Sequence, residues 1–93
     1  MKKPAILVTG ASSGIGTELA YRAAQDSYNL ILVARSKKKL EEIKKDLTIL
    51  YPEQEFVVHI ADLSKPDNAL KLYNDVSKKY DITVLFNNAG FGD

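Results

Sequence analysis

The apolar positions of this chain fall into two alternating patterns. Short runs that are apolar throughout or nearly so lie at residues 5–9, 30–33, 56–60 and 82–86, and between them apolar side chains recur at helical spacing. A short unbroken run is the mark of a strand buried on both faces of a parallel sheet. After the first run, Ile15, Leu19, Ala20 and Ala23 mark one face of a helix that opens at Gly14. After the second, Leu40, Ile43, Leu47 and Leu50 form a stripe, with lysines and glutamates elsewhere. Ser36 is placed to cap the start of that helix, and Pro52 stops it. After the third, Ser64 followed by Asp67 reads as a capping box, and Pro66 suits a first helical turn. Leu70, Tyr73 and Val76 then mark the inner face of a third helix.

The order βαβαβαβ predicts an α/β fold built on a parallel sheet. Right-handed crossovers limit its layout. If the first three strands wind outward, their two helices share one face. The fourth strand then returns beside the first, giving the order 3-2-1-4 with the third helix on the opposite face. Such a reversal makes a crevice at the carboxyl ends of strands one and four, the place where ligands bind in open α/β sheets.

Composition narrows the class. The chain has 93 residues, 45% of them hydrophobic and 27% charged, which describes one small globular domain. A net charge of +1 gives no electrostatic case for nucleic acid or a membrane surface as a partner. The absence of cysteine excludes a disulfide framework and cysteine-based metal sites, and is compatible with the cytoplasmic location expected here. The first apolar run is too short for a signal peptide, and no stretch approaches the ~18–20 apolar residues of a membrane span.

The segment with the most chemistry is Thr9-Gly10-Ala11-Ser12-Ser13-Gly14-Ile15-Gly16, set between the first strand and the first helix. A strand that enters a helix through closely spaced glycines offers outward backbone N–H groups to a phosphate, and the helix N-terminus favours its charge. Gly10 permits a tight turn, Gly14 lets a pyrophosphate approach the backbone, and Gly16 lets the helix pack closely on the sheet. Strand two ends at Val33-Ala34-Arg35-Ser36, where NAD-binding folds carry an acid for the ribose 2′-hydroxyl. A guanidinium there suits a 2′-phosphate, so NADP(H) is expected over NAD(H). After strand three, Asp62 is placed either to accept an adenine amine or to close an Asx-turn. Asn87-Asn88-Ala89-Gly90 ends strand four, where the asparagines can tie strand ends together and the small residues leave room for a ribose. His59, the single histidine, lies within a strand and away from the expected crevice, which points to a structural role. The lysine runs at 37–39, 44–45 and 78–79 read as solvated helix faces.

Together these motifs resemble the short-chain dehydrogenase/reductase family in its classical branch, and the likeness covers nearly the whole chain. The resemblance implies a Rossmann-like, incomplete doubly wound fold, with residues 1–93 forming a single N-terminal dinucleotide-binding domain fragment. It implies that Ser12, Ser13 and Ile15 join Gly10, Gly14 and Gly16 around the coenzyme phosphates and adenosine. It further implies that Arg35 and Ser36 meet the 2′-phosphate, that Asp62 and Leu63 flank the adenine, and that Asn88, Ala89 and Gly90 line the adjoining ribose. The family's catalytic Tyr-x-x-x-Lys pair is missing: Gln25, Leu32, Glu55, Ser77 and Val84 stand four places beyond the five tyrosines. No catalytic role is carried onto any residue here. The expected function is therefore the NADP(H)-binding portion of an enzyme that moves a hydride between the coenzyme and a carbonyl or secondary alcohol. The alternatives are a non-catalytic nucleotide-binding module and a fragment that self-associates, as a homo-oligomer, through an exposed sheet edge or an uncovered face.

Overall fold

The computed structural model describes residues 2–85. Its elements are β1 (Lys3–Thr9), α1 (Gly14–Gln25), β2 (Asn29–Ala34), α2 (Lys37–Leu50), β3 (Phe56–Ile60), α3 (Pro66–Ser77) and β4 (Tyr80–Leu85). The four strands form one sheet in the order β3-β2-β1-β4. All three pairings are parallel, with Ala5 opposite Asn29 and Ile82, and Leu30 opposite Phe56. This is the expected Rossmann-like topology.

Two clusters of buried side chains, one on each face, hold the sheet. On the first face Val8, Leu30, Leu32 and Phe56 pack with Ala20, Ala23 and Ala24 of α1 and Leu40, Ile43 and Leu47 of α2. On the second, Ala5, Leu7, Ile31 and Val33 pack with Leu72 and Val76 of α3. β2 serves both faces. Its residues from Leu30 to Val33 are wholly buried, and each such side chain stabilises the fold by roughly 1.5–3 kcal/mol. No helix of the described residues is long and apolar enough to cross a membrane.

Several local expectations are corrected. β1 and β4 each start two residues before their apolar runs, because Lys3 pairs with Tyr80 and Pro4 with Asp81 along the sheet. Phe86, expected to end the fourth strand, lies outside the described residues. In α2 the stripe stops at Leu47: Leu50 is 54% exposed, and Tyr51, half-buried, packs on the core in its place. In α3 the inner residues are Leu72 and Val76, whereas Leu70 and Tyr73 are 63% and 45% exposed. The capping box is not formed. Lys65 is the N-cap residue without a side-chain bond, although Pro66 does open the helix.

At the amino ends of the strands a polar clasp spans the sheet. Lys3 Nζ of β1 donates to Glu55, the residue before β3, and the Tyr80 hydroxyl of β4 donates to the other carboxylate oxygen at 2.8 Å. Asn29 of β2 donates to the Pro4 carbonyl at 3.2 Å and accepts the Glu55 N–H at 2.9 Å. The Lys3 ammonium, and then the Tyr80 hydroxyl, hold the Glu55 carboxyl below its usual 4.5. On the first face, Tyr21 of α1 donates to Asp46 of α2. Burial first, and then Asp46, push the Tyr21 phenol up to about 12.

A group held below its unfolded pKa contributes stability above the unfolded value and loses it as pH falls through the folded one. The clasp is therefore expected to weaken from about pH 4.5 downward. In Glu55→Gln, urea midpoints measured down that acid limb should fall less steeply than in the wild type; parallel limbs would mean that the clasp carries no such linkage.

Helix α1 ends through Ser27, whose φ of 73° lies in the left-handed region. The turn is closed by Ser27 N–H to the Ala24 carbonyl and Tyr28 N–H to the Ala23 carbonyl. Glycine is the usual residue at such a helix end, and a side chain there costs about 1–2 kcal/mol. Ser27→Gly should raise the unfolding free energy by about 1 kcal/mol in a denaturant titration, and an unchanged or lowered midpoint would contradict this.

Candidate functional site

The carboxyl end of β1 turns into α1 through Gly10. Its φ of 64° is a conformation that a side chain disfavours, and the residue is buried. The Ser13 N–H donates to the Gly10 carbonyl at 3.0 Å, and the Ser13 hydroxyl donates to the same oxygen at 2.8 Å. That hydroxyl also accepts the Gly16 N–H at 3.1 Å, so Ser13 is the N-cap of α1. Thr17 completes the turn, its N–H on the Ser13 carbonyl at 2.8 Å and its hydroxyl on the Ala11 carbonyl at 2.7 Å. Ala11 N–H reaches across to the Val33 carbonyl of β2 at 3.0 Å, which locks the turn to the neighbouring strand.

The first four N–H groups of a helix lack intrahelical acceptors. Here Ser13 satisfies those of Gly16 and Thr17, which leaves Gly14 and Ile15 presenting donors at the positive end of the helix. A Cβ built on Gly14 would meet nothing within 4 Å, so the space above this position is open. Gly16 is buried against the sheet. Ile15 shares the helical spacing of Leu19, Ala20 and Ala23 but not their burial: it is 68% exposed and stands in the first turn of the helix, near the half-buried Ser12 in sequence.

Next along the sheet edge is Arg35, exposed just beyond β2. Ser36 caps α2 as expected, accepting the Lys39 N–H at 3.4 Å. Beyond β3, Asp62 forms the Asx-turn. Its Oδ1 accepts the Ser64 N–H at 3.1 Å and the Ser64 hydroxyl at 2.6 Å. This is why Ser64 does not cap α3. The Asn68 side chain anchors the turn from α3, its amide donating to the Asp62 carbonyl at 3.1 Å. The Ser64 hydroxyl and N–H hold the Asp62 carboxyl below its usual range, with smaller contributions from Arg35 and Lys65. Leu63 turns its side chain inward to the α3 cluster.

Arg35 and Asp62 share a cavity of about 490 Å³ with His59, Asn68, Lys71 and Asp75. The sequence pattern placed His59 away from any site. It lies on the α3 face of β3, and α3 itself packs mainly against β4, so the β3 side of that face stays open. The sequence reading also missed Ala11 and Thr17, whose roles rest on backbone carbonyls that no spacing rule identifies. Asn87, Asn88, Ala89 and Gly90 lie outside the described residues.

The chain as a whole has counterparts among known proteins. A family model described as short chain dehydrogenase matches residues 4–93. Among curated proteins, the chain is 42% identical over 86 residues to 11-beta-hydroxysteroid dehydrogenase 1A of Arabidopsis thaliana, covering 91% of this chain and 24% of that one. It is 40% identical over 85 residues to very-long-chain 3-oxoacyl-CoA reductase of Coccidioides immitis, covering 90% and 24%. The chain thus spans about a quarter of the length of these relatives. Among solved structures, a short-chain dehydrogenase from Sphingobium yanoikuyae in complex with NADPH superposes with a TM-score of 0.80 at 35% identity, over 92% of this chain and 33% of that one. L-sorbose reductase from Gluconobacter frateurii, complexed with NADPH and L-sorbose, gives 0.81 at 26% identity, over 100% and 35%. With the match running through every described element, this chain belongs to the short-chain dehydrogenase/reductase family.

Proposed function

We propose that this chain is the NADP(H)-binding portion of an oxidoreductase that exchanges a hydride with a carbonyl or a secondary alcohol. The observation that carries the reading is the pair of N–H donors at Gly14 and Ile15 without acceptors among the described residues, under open space, on a turn bonded to β2 two residues before Arg35. The donors suit a pyrophosphate, and the guanidinium suits a 2′-phosphate through charge-assisted bonds. The Ser36 hydroxyl accepts from Lys39 and still has its own proton for a phosphate oxygen. Asp62 has both of its hydrogen bonds on Oδ1, which leaves Oδ2 for an adenine amine, with the Leu63 backbone alongside. Asn88, Ala89 and Gly90 are assigned to the adjoining ribose on the family pattern.

The bound dinucleotide supplies or accepts the hydride. What this chain contributes is binding and orientation. The solved relatives from S. yanoikuyae and G. frateurii, both described with NADPH, support the coenzyme class. The preference for NADP(H) over NAD(H) rests on Arg35, where attraction at contact, reduced by an open rim, leaves ~1–3 kcal/mol.

Two substitutions test the assignment. In Arg35→Glu, NADPH affinity should drop by about 5–150-fold while NADH affinity is spared. Equal loss of both would show that Arg35 does not read the 2′-phosphate. Gly14→Ala has room in the free chain and replaces glycine in a helix, so thermal stability should hold or rise. The added methyl intrudes where the pyrophosphate approaches, an overpacking cost of about 1–3 kcal/mol, so titrations of NADPH and NADH should both weaken by about 5–150-fold. Unchanged affinity in the folded variant would place the pyrophosphate elsewhere.

A further inference from the structure

The cavity that opens at Arg35 and Asp62 runs on past them as a trough between β3 and α3. Its volume of about 490 Å³ lies within the usual range of small-molecule sites, ~300–1,000 Å³. One wall is the end of β3 and the residue that follows it, which contribute His59 and Ala61. The other is a single face of α3, with Asn68, Lys71, Leu72 and Asp75 at i, i+3, i+4 and i+7. Ala61 and Leu72 also belong to the apolar cluster on that face and give the trough its floor.

The charges along the trough are layered. Helix α3 runs away from the mouth and rises ~1.5 Å per residue, so Lys71 stands ~4.5 Å below Asn68 and Asp75 ~10 Å below it. His59 lies two residues before Ala61, which follows the end of β3, ~6.6 Å down at extended spacing, and so comes near the level of Lys71. From the mouth inward the order is Arg35 with Asp62, then Lys71 with His59, then Asp75. Lys71 and Asp75 are helical neighbours, yet neither takes part in the Lys3–Glu55 and Arg22–Glu18 ion pairs. Lys71 lines the trough while forming no ion pair with Asp75 among the described residues.

We propose that this trough is a subsite for a substituent on the adenine N6, and that it selects a short anionic one. The inference rests on the coenzyme reading above. An amine that donates one hydrogen to Asp62 directs its other substituent down between β3 and α3. A carboxylate carried two carbons beyond N6 comes level with Lys71, one turn above Asp75. An ammonium on the same tether meets a like charge there.

The test is a calorimetric titration of the chain, wild type and Lys71→Glu, with NADPH, N6-(2-carboxyethyl)-NADPH and N6-(2-aminoethyl)-NADPH. Lys71 is exposed, so the fold should survive the change, and circular dichroism checks this. In the wild type the carboxyethyl compound should bind about threefold more tightly than the aminoethyl one, the size of an exposed ion pair. In Lys71→Glu the order should invert, with NADPH itself unaffected. If NADPH binds but both tails abolish binding, or rank alike in the two proteins, the subsite is refuted and the coenzyme reading stands. If the folded wild type does not bind NADPH, the coenzyme reading fails and takes the subsite with it.

Discussion

The carboxyl edge of this sheet is organised by one backbone constraint, the left-handed turn at Gly10. That single conformation lets β1 stop and α1 start within a few residues. Ser13 spends its hydroxyl inside the turn, on the Gly10 carbonyl and the Gly16 N–H. The bond from Ala11 to Val33 then fixes the turn to the end of β2, two residues before Arg35. The helix mouth and the backbone that leads to Arg35 are therefore tied together directly.

The rest of the edge follows from how strands and helices share the two faces. β2 is buried on both sides, so its end can emerge only at the top of the sheet, where Arg35 becomes exposed. β3 is covered by α2 on one face and left partly open on the other, because α3 has crossed toward β4. Asp62 and Asn68 brace the start of that crossing. A groove with charged walls is the result of this topology, and the same crossing brings His59 and Lys71 into one cavity with Arg35.

The element order, the strand order and the glycine turn were all legible in the sequence, because each depends on local spacing or on crossover handedness. Helix rotation was not. In α3, Leu70, Tyr73 and Val76 form one apolar stripe, and Leu72 with Val76 offers another. The bond from Asn68 to the Asp62 carbonyl, together with the packing of Leu72 and Val76, selects the second. Ser64 was misassigned because a serine before an acid fits a capping box as well as an Asx-turn, and the nearby Asp62 carboxylate competes for its hydroxyl. Ile15 fitted a helical stripe, yet it lies in the first turn, where the helix mouth faces outward and not onto the sheet. At the other end of a helix, Leu50 lost its place to Tyr51 because the chain leaves α2 there.

In the proposed function, the amides of Gly14 and Ile15 receive the phosphates of a dinucleotide. The most direct test is an NMR titration of the folded, isotope-labelled chain with NADPH. The largest amide shifts should fall at Gly14 and Ile15, with a matching change at the Arg35 guanidinium that NADH does not produce. Saturation that leaves these amides in place, or shifts confined to other parts of the sheet, would contradict it.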